Sequence, residues 1–246
     1  ILPRIIRGEV SFCIGMSEPD SGSDLFAAKT KAERTDDGWL INGRKLWTSR
    51  AHEADYMIGL FRTSAPTQDN RRHGLSQFLV DMKTPGVEVR PIINMSGGHE
   101  FNQIIFDDVR VPRRNVVGEE NRGWYVAVTL LDFERSGIDY SAMSRRLLDE
   151  ICEYAGEIRQ NGQTLMQTPW VRNLVADRYI ETEVARLMAY NVAYMQGEGL
   201  VPNKEASMSK VFGSETLQRT TVAGMEILGM YGTLGRDEKW APLSGR

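Results

Sequence analysis

Ser17-Glu18-Pro19-Asp20-Ser21-Gly22-Ser23-Asp24 is the first stretch whose residue types could do chemistry. Its hydroxyls, glycine and proline suit a loop that turns backbone N–H groups toward an anion. A plain polar connection between strands has the same composition. In the second stretch, Gly43-Arg44-Lys45-Leu46-Trp47-Thr48-Ser49, an indole beside two hydroxyls can stack on a planar heterocycle and hydrogen-bond its edge. A core tryptophan on a strand is the plainer reading. The third candidate is a lone carboxylate. Glu134 falls on one helical face with Ala127, Leu130 and Leu131, so it is expected to point toward an apolar interior. Burial there would raise its pKa and strengthen it as a base once water is displaced; a structural pairing with Arg135 is the other reading. His52, His73 and His99 stand apart from one another, so no metal site is expected. Cys13 and Cys152 are far apart without a ligand pattern and are expected as reduced, buried thiols.

The elements that must position these residues change character along the chain. From about Ser11 to Val117 the signals are short strands and turns. Asp37-Gly38 and Asn42-Gly43 flank Trp39-Leu40-Ile41 as hairpin turns would. Further strands are expected at Tyr56–Phe61, Ser76–Asp81, Val87–Ile92 and Gln103–Phe106, separated by a polar loop over Thr63–Gly74 and by glycine-containing turns. This spacing predicts an antiparallel β-barrel or sandwich. After Gly118 the period becomes helical. Helices are expected over Gly123–Ile138, Tyr140–Arg159, Val171–Gln196 and Lys204–Leu228, before the Gly229-Met230-Tyr231-Gly232 turn. The fold class is therefore α+β, with a β-domain over 1–117 and an α-helical bundle domain over 118–246.

Composition narrows the function classes. The 246 residues can hold one large or two ordinary domains, and 41% hydrophobic with 26% charged content is that of a soluble globular protein. Thirty Lys+Arg against 33 Asp+Glu give a net charge of -3, which lends nothing to nucleic-acid binding. No apolar run approaches the roughly 20 residues that span a bilayer. The chain opens on Ile1 and stops at Arg246 inside a polar stretch, an expectation of a piece of a longer protein.

Taken in order, the two polar stretches resemble the acyl-CoA dehydrogenase family, in which a T/S-E-P-x-x-G-S-D loop precedes a G-x-K-x-W-x-T/S strand. Thr84-Pro85-Gly86-Val87, Phe106-Asp107-Asp108-Val109-Arg110-Val111-Pro112, Asn115-Val116-Val117-Gly118, Asn121-Arg122-Gly123-Trp124 and Leu131-Asp132-Phe133-Glu134-Arg135 extend the resemblance over nearly the whole chain. It implies the family's middle β-domain followed by most of its C-terminal helical bundle, with the N-terminal helical domain missing. It also implies FAD as cofactor and α,β-dehydrogenation of an acyl-CoA thioester. Electrons would pass to an electron-transfer flavoprotein, in a homo-oligomer (dimer or tetramer) of the bacterial cytoplasm or mitochondrial matrix.

By the same resemblance, Ile14, Met16, Ser17, Ser23, Trp47, Thr48 and Ser49 would line the flavin, with Gly229 and Gly232 in a second part of the FAD site. Ser17 and Ser49 would bond the isoalloxazine edge, and Trp47 would pack against the rings. Ser23, Asp132 and Arg135 would meet substrate. Glu134, just before Arg135, matches one of the two positions at which the family carries its base; the other lies beyond Arg246. Two motifs depart from the pattern. Ile158-Arg159-Gln160-Asn161-Gly162 stands where an Arg-Lys-x-Phe-Gly run often reaches a neighbouring subunit's FAD. Glu226-Ile227-Leu228-Gly229-Met230-Tyr231-Gly232 stands for Q-x-x-G-G-x-G. An acyl-CoA oxidase and a non-catalytic partner subunit of a mixed oligomer are the competing functions. His99-Glu100-Phe101 fits either solvent or the active site.

Overall fold

The computed structural model describes residues 1–134, 137–235 and 238–245, leaving out the side chains at 132–134, 244 and 245. The chain divides into two compact units, Ile1–Leu130 and Leu131–Arg246.

The first unit opens with a one-turn helix, α1 (Leu2–Ile6), followed by β1 (Phe12–Gly15), β2 (Lys31–Arg34), β3 (Gly38–Ser49), β4 (Tyr56–Arg62), β5 (Leu75–Asp81), β6 (Val87–Ile92), β7 (Phe101–Pro112) and β8 (Val116–Val117). Seven strands run in the order β6-β7-β3-β2-β4-β5-β8, and β1 pairs with β4. Most pairs are antiparallel, whereas β1–β4 and β2–β4 are parallel. β1 and β2 pair with β4 and not with each other, and the chain between them is the loop that carries Ser17–Asp24. The sheet closes over on itself. Trp39 of β3 meets Phe78 of β5 edge-on at 5.2 Å, and Phe61 of β4 meets Phe106 of β7 at 5.3 Å, although neither pair of strands is adjacent. Ile41, Met57, Val80, Ile104 and Val109 complete this core, each fully buried. Each such large side chain contributes about 1.5–3 kcal/mol by leaving water.

Asn42-Gly43 is not a turn. β3 runs straight through it, because one extra residue of β7 is absorbed there: Ile41 pairs with Val109 and Gly43 with Phe106. Asn42 bonds Asp108 through both its amide nitrogen (2.8 Å) and its oxygen (2.9 Å from the Asp108 N–H). Asp108 takes φ 48°, and Gly43 takes φ 136° against Thr30. The dipeptide that reads as a hairpin is the partner of a β-bulge.

A second small core lies behind the β1–β2 loop. Met16, Ala28, Leu60 and Leu75 pack with Ala127 and Leu130 of α2 (Gly123–Glu134), and Phe26 packs against Trp124 at 4.4 Å. The helix begins close to β5. A Cβ on Gly123 would stand 2.6 Å from the backbone of Ser76 and Gln77. Asn121, at φ 65°, donates its N–H to Ser76 Oγ and accepts from Thr63 and Ser64.

The second unit holds α3 (Ile138–Glu157), the short hairpin β9–β10 (Arg159–Gln160, Gln163–Thr164), α4 (Pro169–Gly197) and α5 (Asn203–Leu228). Ile151, Ala155, Val171 and Ile227 form its core. The periodic run Gly123–Ile138 falls on two helices, α2 and α3, with Gly137 capping the start of α3 at a left-handed φ of 77°. No helix among the described residues is long and apolar enough to cross a membrane.

Candidate functional site

The two polar stretches meet inside the first unit. The Leu46 N–H of β3 donates to the Ser17 carbonyl at 2.9 Å, so the loop runs against the strand directly beside Trp47. Beneath that contact lies Lys45, fully buried. Its Nζ donates to Glu18 Oε1 (2.8 Å), Met16 O (3.2 Å) and Leu60 O (2.5 Å). An ammonium has three N–H donors and no acceptor, and here it faces three acceptors. Glu18 takes two further donations, from the backbone N–H groups of Lys29 (2.6 Å) and Thr30 (3.1 Å). Burial pushes the Glu18 carboxyl upward, but the charge and hydrogen bond of Lys45, with the backbone donors, outweigh it and hold the group below its ordinary value. Burial is also the largest influence on Lys45 and lowers its pKa, while Glu18 resists that shift. The satisfied donors favour an ionised pair. In the sequence, Glu18 and Lys45 are motif members with no task of their own. Their task is to fasten loop to strand.

The loop itself is a tight turn: Glu18 and Ser21 exchange both backbone hydrogen bonds (2.7 and 3.1 Å), and Ser21 Oγ donates to Asp24 O. Arg62 holds its far side, donating to the carbonyls of Phe26, Ala28 and His73.

Trp47 owes its orientation to a second bulge. Lys45 pairs with Ile104 and Thr48 with Asn102, so Leu46 and Trp47 together oppose Gln103 alone. Trp47 adopts φ 59° and Arg50 φ 53°. Left-handed backbone at such residues costs of order 1–3 kcal/mol and persists only where the surroundings enforce it. The result is an indole 56% exposed between the partly covered Leu46 and the buried Thr48, with Phe101 against its edge at 6.1 Å.

The structure thus brings Met16, Ser17, Trp47, Thr48 and Ser49 together. Met16 is buried, Ser17 half-buried, and Trp47 and Ser49 are open. Ile14, 38% exposed on β1, is an apolar side chain left uncovered. Thr48, alternating with its neighbours, is buried; its Oγ1 has no hydrogen-bond partner, and its carbonyl accepts from Asn102. Ser23 is exposed. Gly229 and Gly232 lie in the second unit, where Gly229 ends α5 at φ 55°. The side chains of Asp132 and Glu134, and all of Arg135, lie outside the described residues. Arg159 is exposed and bonds within its own hairpin to Gly162 O, and Glu226 is exposed.

An open indole and an uncovered isoleucine, with hydroxyls of Ser17 and Ser49 at hand, fit a planar heteroaromatic group that needs an apolar face and hydrogen-bonded edges. Residues His99 to Phe101, ambiguous in sequence, border this face: Phe101 touches Trp47, and the Arg50 N–H donates to Glu100 O at 2.7 Å. Cys13 is buried and Cys152 half-buried, both free, and burial pushes the Cys13 thiol up to about 12. Among the described residues no group of His, Cys, Asp and Glu could hold a metal ion.

Comparison with known proteins places this geometry. Residues 13–109 match the middle domain of the acyl-CoA dehydrogenases, and residues 121–244 match their C-terminal domain. The acyl-CoA dehydrogenase FadE29 of Mycobacterium tuberculosis is 35% identical over 94% of this chain and 59% of its own length. The cyclohexane-1-carbonyl-CoA dehydrogenase of Geobacter metallireducens is 33% identical over 94% of this chain and 61% of its own. A glutaryl-coenzyme A dehydrogenase solved with glutaryl-CoA superposes with a TM-score of 0.87 at 29% identity, over 94% of this chain and 59% of that one. The chain spans about three fifths of the length of these relatives.

Proposed function

The chain belongs to the acyl-CoA dehydrogenase family, and on that premise we propose that the protein binds FAD on the face formed by Ile14–Ser17 and Trp47–Ser49 and removes two hydrogens from an acyl-CoA thioester. The observation that carries this reading is the loop–strand junction. A buried Lys45 ammonium and the Ser17–Leu46 hydrogen bond hold a strained strand so that an indole and hydroxyls stand open beside one another.

When bound, the flavin supplies the acceptor for the hydride leaving Cβ. Ser17 and Ser49 donate hydrogen bonds to the polar edge of the ring, where negative charge develops. Trp47 and Ile14 cover its apolar surface and exclude water, and Thr48 takes part through its backbone. Gly229 and Gly232 of the second unit contribute to the nucleotide end, and Ser23, Asp132 and Arg135 contact substrate. Glu134 receives the Cα proton. The partner that would accept the electrons is an electron-transfer flavoprotein, and the working assembly is a dimer or tetramer of like subunits.

The test is an anaerobic titration of the full-length flavoprotein with a panel of acyl-CoAs, following loss of flavin absorbance. Glu134→Gln is expected to keep the flavin and abolish bleaching and dye reduction, a loss of about 10²–10⁴-fold for a general base. Near-normal turnover of that variant sinks the assignment of the base. Rapid peroxide release from the reduced enzyme in air would identify an oxidase instead.

A further inference from the structure

We propose that Asn102 is the positioning residue of the Trp47–Ser49 bulge, oriented by the stacked imidazoles of His52 and His99. The proposal rests on the reading of that bulge as the flavin face, but its geometry belongs to the protein alone.

Two left-handed residues, Trp47 in the bulge and Arg50 just past the end of β3, bracket Thr48 and Ser49. Something must hold each end and the middle. Leu46 is held by Ser17 and Arg50 by Glu100, both through backbone hydrogen bonds. In the middle, Thr48 and Ser49 pair with Asn102 and Phe101 in the β3–β7 ladder, and the Asn102 side chain adds a hold of its own: its fully buried Nδ2 donates to the Thr48 carbonyl at 3.1 Å.

That contact settles how the amide points, and the rings follow. A carbonyl only accepts, so the NH₂ group of Asn102 must face Thr48 and its oxygen must face the other way. The second N–H of the same group is 3.2 Å from His52 Nδ1, which must therefore carry a lone pair. Asn102 Oδ1 is 2.8 Å from His99 Nε2, which must therefore carry the proton. The two imidazoles stack at 4.0 Å with 19° between their planes, so neither can turn without displacing the other. Glu53, itself paired with Arg50 at 2.6 Å, lies 3.6 Å from His52 Nε2. Two rings from separate loops thus orient one buried amide. A residue needed only to fill space would not require three oriented hydrogen bonds in a fully buried position.

Asn102→Asp keeps the size and removes both donors. In the flavin-free full-length protein, amide exchange over residues 46–50 is expected to accelerate about tenfold, with β4 unchanged, as befits loss of one buried hydrogen bond. The dissociation constant for FAD is expected to rise by about the same factor, with displaced flavin absorbance bands. Long-range ¹H–¹⁵N spectra of the wild type should show a bare Nδ1 on His52 and a protonated Nε2 on His99. Unchanged exchange over 46–50, or a proton on His52 Nδ1, overturns the proposal. Should Asn102→Asp fail to fold, His99→Ala leaves the amide but frees its oxygen. Exchange over 46–50 should then rise about threefold, and no change overturns the proposal equally. If the wild type takes up no FAD while the exchange result holds, the clamp stands and the flavin reading falls.

Discussion

A lysine buried without water is costly, and Lys45 is tolerated because each of its three donors has an acceptor. Removing one member of such a pair leaves the other charged and unpaired. Lys45→Met is therefore expected to destabilise the protein by about 3–5 kcal/mol, measured by urea unfolding. The double variant Glu18→Gln/Lys45→Met should recover part of that loss, because an uncharged amide oxygen still accepts from the N–H groups of Lys29 and Thr30 while no unpaired charge is left buried. A double variant less stable than Lys45→Met would show that the pair is not what holds this junction. Motif spacing made both residues visible in the sequence. Their task was not, because pairing between positions 18 and 45 exists only once the loop has folded back onto β3. Likewise no periodicity predicts that Trp47 opens outward; that depends on one extra residue in β3 relative to β7.

Elements with a clear period were legible to within a residue or two: β4, β5 and β6, and the long helices α4 and α5. The failures share a cause. Asn42-Gly43 reads as a turn, and Gln103–Phe106 reads as a short strand, because bulges hide the continuity of the twelve-residue strands β3 and β7. At Gly123 two local effects compete, and magnitude decides between them. Alanine is the better helix former by about 1 kcal/mol in a helix interior, but Gly123 is the first residue of α2, where that gain is small. Its Cβ would lie 2.6 Å from the backbone of Ser76 and Gln77, which no side-chain rotation relieves. Gly123→Ala should therefore cost about 1–3 kcal/mol and disturb the helix that carries Glu134. A variant as stable as the wild type would mean that β5 and α2 can separate at little cost.

At the scale of the whole molecule, the first unit concentrates its linkage to pH in carboxylates. Glu9, Glu53 and Glu88 are held below their ordinary range chiefly by hydrogen bonds from Arg7, Arg50 and Arg90, and Asp55 by the Ser11 N–H. Glu9, Glu53 and Glu88 are solvent-exposed and Asp55 is half-buried at the surface, so their contributions are screened. Glu18 is the buried member, held low by Lys45 and two backbone donors against the upward push of burial. A carboxyl whose pKa is lower folded than unfolded stabilises the fold fully above its unfolded value, near 4.3 for glutamate. That stability is lost as pH falls through the folded value. The Ile1–Leu130 unit should therefore lose urea resistance steadily below about pH 4.5. Adding 1 M salt should remove the part that comes from the exposed pairs and leave the part that comes from Glu18. The measurement is pulsed amide exchange at one fixed labelling pH after equilibration in urea at each acid pH, read on peptides of this unit. Glu18→Gln provides the internal check: in high salt its stability should be lower at neutral pH and nearly flat on acidification. If the wild type and Glu18→Gln lose urea resistance in parallel as the pH is lowered, the buried pair is not the acid-sensitive fastening of the site.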